Sequence, residues 1–98
     1  MLSFVLIGYD KPGALPTRMA YRGQHLEMLT AMEFAGRLHH AGPILSDKGE
    51  PCGSVVVFSA ESMEAARAVV AADPYVINDV FERTELHETK RVFPSQPG

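Results

Sequence analysis

Strand-like and helix-like segments alternate along this chain in the order β-α-β-β-α-β. That order predicts an α+β, ferredoxin-like fold: a four-stranded antiparallel sheet with two helices on one face. Two further observations support the assignment. The segments placed at the centre of the sheet, 2–9 and 53–60, are apolar at nearly every position, as strands buried on both faces are. Turn chemistry falls where the pattern needs a break, at Asp10-Lys11-Pro12-Gly13 and along the polar stretch from Ser46 to Pro51.

The first strand runs from Leu2 to Tyr9 through Phe4, Val5, Leu6 and Ile7, with only Ser3 and Gly8 interrupting. Pro16 and Thr17 open a long helix that continues to about Phe34 and Ala35, and Gly36 is a natural stop. Tyr21, His25, Met28, Leu29, Met32 and Ala35 recur at helical spacing and form its inward stripe. Arg18, Arg22, Glu27 and Glu33 are expected beside or opposite that stripe. A second strand, Leu38 to Leu45, carries Gly42 and Pro43, and an internal proline marks an edge, a bulge or a strand end. The third strand is Gly53 to Ala60. Ser62 is a plausible N-cap for a helix from Met63 to Ala72, and Pro74 disfavours helix at Asp73. Asp79 to Thr89 reads as an alternating fourth strand, with Val80, Thr84 and Leu86 on one face and Phe81, Arg83 and His87 on the other. Residues 1–93 make one domain and 94–98 a loose tail.

The central strands pose a packing problem. Val5, Ile7, Val55 and Val57 cannot share a face with Phe4, Leu6, Val56 and Phe58. Helices cover one face only; a second sheet packed on the other would supply the missing cover and predicts a homodimer through sheet faces, the rival being the short C-terminal tail lying over it. At roughly 25 cal/mol per Å² of apolar surface, several such side chains per subunit contribute several kcal/mol before the cost of association.

Composition removes several classes of function. The chain has 98 residues, 46% of them hydrophobic, and a formal charge of −3 without a Lys/Arg cluster, so a nucleic-acid partner is not expected. No apolar run approaches the roughly 20 residues that span a bilayer, and the N-terminus lacks the pattern of a signal peptide, so no membrane association and a cytoplasmic location are expected. The single cysteine, Cys52, excludes an internal disulfide and a multi-cysteine zinc site, and reads as a small apolar residue near a strand start. His39 and His40 are neighbours on a strand and should point to opposite faces, and His87 stands alone. No metal-ligand cluster and no glycine-rich phosphate loop is evident, so neither metal nor organic cofactor is expected.

Five short segments resemble the YCII-related (YciI-like) family: Arg22 to Leu26, Gly36 to Leu38, Ala41 to Pro43, Gly53-Ser54, and Ala72 to Tyr75. Their order and spacing agree from Met1 to about Phe93. The resemblance implies a ferredoxin-like domain that pairs through its sheets as a dimeric α/β-barrel. It also implies an active site with a paired His and Asp, which fall at His25 and Asp73.

Each candidate has a structural reading beside the chemical one. His25 on an apolar stripe can be a core histidine. As part of the site it would be a general acid/base, because imidazole exchanges protons near neutral pH. Asp73 before Pro74 is the pattern of an N-cap on a new helical turn, Pro74 to Asn78, and the same carboxylate could orient the His25 ring. Arg22, three residues before His25, is either a solvated cation or an anchor for an anionic or phenolate oxygen. Ser54 either begins a strand or donates a hydrogen bond into the cleft. Gly42 and Pro43 shape a turn whose backbone is expected to wall a pocket, and Tyr75 joins the binding set by packing. The expectation is a small cofactor-independent enzyme that performs elimination or isomerisation, lyase-like, on a small oxygenated or aromatic metabolite. The alternative is a non-catalytic small-molecule binding or regulatory module.

Overall fold

The computed structural model describes residues 1–95 of the chain. Its elements are β1 (Leu2–Asp10), α1 (Leu15–Phe34), β2 (Leu38–Leu45), β3 (Pro51–Ala60), α2 (Met63–Ala72), α3 (Pro74–Ile77) and β4 (Phe81–Thr89). The strands form one antiparallel sheet in the order β2-β3-β1-β4. Of the expected loose tail, 96–98 lies outside the described residues. Among the described residues no helix is long and apolar enough to cross a membrane.

Register divides the two central strands cleanly. Phe4 pairs with Phe58 and Leu6 with Val56, and all four are buried against the helices. Leu29 of α1 and Ala66 of α2 close this core, with Met28, Met32, Val69 and Val70 packed around it. Val5 pairs with Val57 and Ile7 with Val55 on the opposite face, where all four are only half-buried in one subunit. Lys90 to Phe93 line a hollow there beside Val5 and Val57, but Phe93 itself is 82% exposed, so this segment covers little of the face.

Local chemistry accounts for the element ends. α1 has proline in its first turn and stops in a Schellman arrangement: Gly36 adopts φ +72°, its N–H bonds to Glu33 O, and Arg37 N–H bonds to Met32 O, both at 3.0 Å. The Ser62 hydroxyl accepts from Ala65 N–H at 3.1 Å to cap α2. Pro43 is accommodated because β2 is an edge strand and needs no partner on its outer side. β3 begins at Pro51, two residues earlier than expected, and Cys52 near its start is exposed.

β4 departs from the alternation read in the sequence. It begins at Phe81, because Asp79 takes a left-handed φ of 58°. Tyr9 pairs with Arg83 and Asp10 with Phe81, so β4 carries one extra residue there, a bulge. The bulge turns Phe81 to the helix side, away from the face of Arg83 and His87, and it packs with Val80 and Tyr75. Gly8 makes room for it: a Cβ at position 8 would come within 2.6 Å of the Phe81 ring. A second register shift, between Leu38 and His40, breaks the alternation expected of His39 and His40. His39 instead meets Ser59 Oγ at 2.6 Å, and His40 lies near Gly42.

Candidate active site

Helix α1 sets Arg18, Arg22, His25 and Leu29 at intervals of four, three and four residues, which places them along one face. The α2–α3 junction supplies the other half of the site. Pro74 forces Asp73 out of the helix to ψ 124°, and Asp73 Oδ1 then accepts the Tyr75 N–H at 2.9 Å as the cap of α3. The same Oδ1 lies 2.9 Å from His25 Nδ1. A carboxylate oxygen accepts, so Nδ1 is the donor of this contact, and Nε2 is the ring nitrogen that no protein group engages among the described residues. Both groups are buried, Asp73 to 1% exposure, and its Oδ2 has no partner among the described residues.

Aromatic stacking fixes the ring. His25 lies on Tyr75 with centroids 3.9 Å apart and 14° between planes, and Phe81 meets Tyr75 edge-on at 6.0 Å. Burial pushes the Tyr75 phenol above its usual range, an effect that Arg18 and Arg22 partly oppose.

Arg18 is the residue the sequence reading misplaced. It was expected beside or opposite the inward stripe, but it is 4% exposed and lies on the face of His25 two turns away. Asp10, at the end of β1, makes that burial possible. Its two oxygens accept from Arg18 Nε at 2.9 Å and Nη2 at 2.7 Å, a bidentate pair. Nη2 also donates to Ser54 Oγ at 3.0 Å, and the guanidinium carbon sits 4.6 Å from the Tyr75 ring centre. Burial opposes the charge on Arg18, but the bonds and charge of Asp10 outweigh it and hold the guanidinium above its ordinary range. Arg18 was detectable by its seven-residue spacing from His25. Asp10 gave no signal, because its place in a turn already explained it.

A cavity of about 560 Å³ opens between α1 and the β2–β3 edge, lined by Arg18, Arg22, His25, Gly42, Pro43, Ser54 and Tyr75. Met19, Leu26, Leu29, Ala41 and Pro51 complete an apolar wall. Six of the seven residues singled out in the sequence therefore face one hollow, and Asp73 stands behind His25 without lining it. Arg22 is exposed and makes no ion pair among the described residues. Elsewhere, His87 pairs with Glu85 at 3.1 Å on the surface. No group of three His, Cys, Asp or Glu placed to hold a metal occurs among the described residues.

Residues 2–90 match the YCII-related domain. Protein YciI of Escherichia coli O6:H1 is 38% identical over 96 residues, covering 92% of this chain and 98% of its own. An uncharacterized protein of Haemophilus influenzae is 33% identical over the same shares. Among solved structures, the 5-chloro-2-hydroxyhydroquinone dehydrochlorinase TftG of Burkholderia phenoliruptrix AC1100, in complex with 2,5-dihydroxybenzoquinone, superposes with a TM-score of 0.82 at 26% identity, over 91% of this chain and 94% of that one. An antibiotic biosynthesis monooxygenase shares the fold at a TM-score of 0.56 and 14% identity, over 94% of this chain and 99% of that one. On the domain match over residues 2–90 and the 38% identity to YciI, this chain belongs to the YCII-related family.

Proposed function

We propose that the chain is a small acid/base enzyme that needs no organic cofactor and performs elimination or isomerisation on an oxygenated aromatic metabolite. One observation carries this reading: His25 Nδ1 is committed to a buried carboxylate at 2.9 Å while the same ring borders an open cavity. His25 Nε2 takes a proton from a substrate hydroxyl or carbon, and Asp73 stabilises the resulting imidazolium. The electron pair released then expels a leaving group from a neighbouring carbon, or the proton returns at another carbon. Arg22, the exposed cation at the cavity, holds the oxyanion that develops, and the apolar wall receives the ring. Ser54, Gly42, Pro43 and Tyr75 complete the binding set.

The dehydrochlorinase relative supports a ring of the hydroxyquinone kind as the first substrate to try. The half-buried valines and isoleucine of β1 and β3 support association of two subunits through their open sheet faces.

The test is chloride release from 5-chloro-2-hydroxyhydroquinone by the wild-type chain and by His25→Ala. The variant should fold and lose about 10²- to 10⁴-fold in kcat, the share general acid/base catalysis contributes. A folded His25→Ala protein with undiminished turnover contradicts the proposal. Ligand binding without turnover in the wild type would favour the non-catalytic module.

A further inference from the structure

Ser54 is 3% exposed on β3, yet it borders the cavity. A guanidinium only donates, so in the 3.0 Å contact with Arg18 Nη2 the Ser54 oxygen is the acceptor. The hydroxyl proton of Ser54 then has no protein acceptor among the described residues, and the cavity is the direction left to it. Arg18 is held by Asp10 at 2.9 and 2.7 Å and lies over Tyr75, so it cannot turn away from Ser54. Asp10 also cancels its charge, so Arg18 presents little net charge to a ligand.

We propose that Arg18 is a positioning residue that fixes Ser54 as a hydrogen-bond donor into the cavity, and that the site takes a planar ligand whose ionisable hydroxyl is conjugated with a carbonyl oxygen. The inference rests on the reading of His25 as proton acceptor and adds a polar contact beside those of His25 and Arg22. The ligand O–H bond breaks, its proton passes to His25 Nε2, and the charge left behind spreads onto the carbonyl oxygen, which accepts from Ser54. No electron leaves or enters the ligand. The apolar side chains Leu26, Leu29 and Ala41 suit the ring faces.

Two non-electrophilic probes test this, tropolone with the two oxygens adjacent and 4-hydroxyacetophenone with them across the ring. Phenol, which lacks the carbonyl, is the control. Binding is read by calorimetry, and ionisation by the ultraviolet spectrum of the bound probe. At least one carbonyl probe should bind the wild-type chain as its anion. Ser54→Ala should weaken that probe about ten-fold or more, the size of a bond to a charged acceptor, leave phenol unchanged, and be rescued by Ser54→Thr.

Arg18→Lys should give the same selective loss, and Ser54→Ala should add nothing on top of it. Where Arg18→Lys does not fold, Asp10→Asn serves in its place. Equal affinity in Ser54→Ala and wild type, or equal weakening of phenol, overturns the inference alone. Additive losses overturn the positioning role of Arg18. Failure of both carbonyl probes to bind the wild type overturns the inference and the functional reading together. A probe that binds un-ionised but keeps the Ser54 selectivity supports the Ser54 assignment and removes His25 as acceptor.

Discussion

Oδ1 of Asp73 accepts from the Tyr75 amide and from the His25 ring, both at 2.9 Å, while Oδ2 is buried without a partner. One oxygen thus serves the fold and the proposed chemistry. Replacing Asp73 by Ala removes a helix cap, worth about 1 kcal/mol, and leaves a buried imidazole N–H unpaired, worth about 1–3 kcal/mol. Urea denaturation of Asp73→Ala should therefore show a loss of about 2–4 kcal/mol. Asp73→Asn should lose less, since an amide oxygen still accepts from Tyr75, but should slow any turnover that depends on the carboxylate charge. Comparable losses in the two variants would contradict that difference and show that the amide oxygen does not keep the cap. At this scale the sequence was informative where a residue's place on a helix or before a proline constrains it, as with His25 and Asp73. It misplaced Arg18, despite the seven-residue spacing from His25, because a charged side chain near an apolar stripe is ordinarily solvated. Only the fold brings Asp10 to neutralise it across eight residues.

At the scale of elements, the bulge in β4 and the glycine in β1 form one device. The extra residue turns Phe81 inward, Gly8 leaves space beneath it, and Phe81 supports the Tyr75 ring on which His25 stacks. Gly8→Ala should cost about 1–3 kcal/mol by overpacking and should loosen the His25 ring, seen as broadened imidazole signals in the NMR spectrum. A native-like stability for that variant would show that Phe81 has room to move. Tyr75 adds a pH dependence. Burial raises its phenol in the folded state, so the folded chain holds that proton more firmly than the unfolded chain does. The resulting stability is complete below the ordinary tyrosine range, near about 10, and is lost as pH rises through the folded value. Thermal melts should show the wild type losing stability relative to Tyr75→Phe only at alkaline pH, and parallel curves would contradict it. Strand order and helix ends could be read in advance because turn and cap residues mark them. The bulge could not, because the alternation of β4 continues unbroken in sequence through the point where its pairing slips.

For the whole molecule, the unequal faces of the sheet matter most. One face is closed by α1 and α2, and the other carries Val5, Ile7, Val55 and Val57 half-exposed. The sequence required both faces of β1 and β3 to be covered, and a single subunit covers one. Sedimentation should give a dimer for the wild type and a monomer for Val57→Lys, which places a charge at the centre of the open face. A wild-type monomer would leave the apolar face without the partner assigned to it.

The direction of the His25 ring underlies the whole account, and long-range ¹⁵N NMR of the imidazole reads it directly. The neutral ring should be protonated at Nδ1 with Nε2 bare, and Asp73→Asn should change both nitrogen signals. A ring protonated at Nε2, or signals indifferent to Asp73, would contradict it.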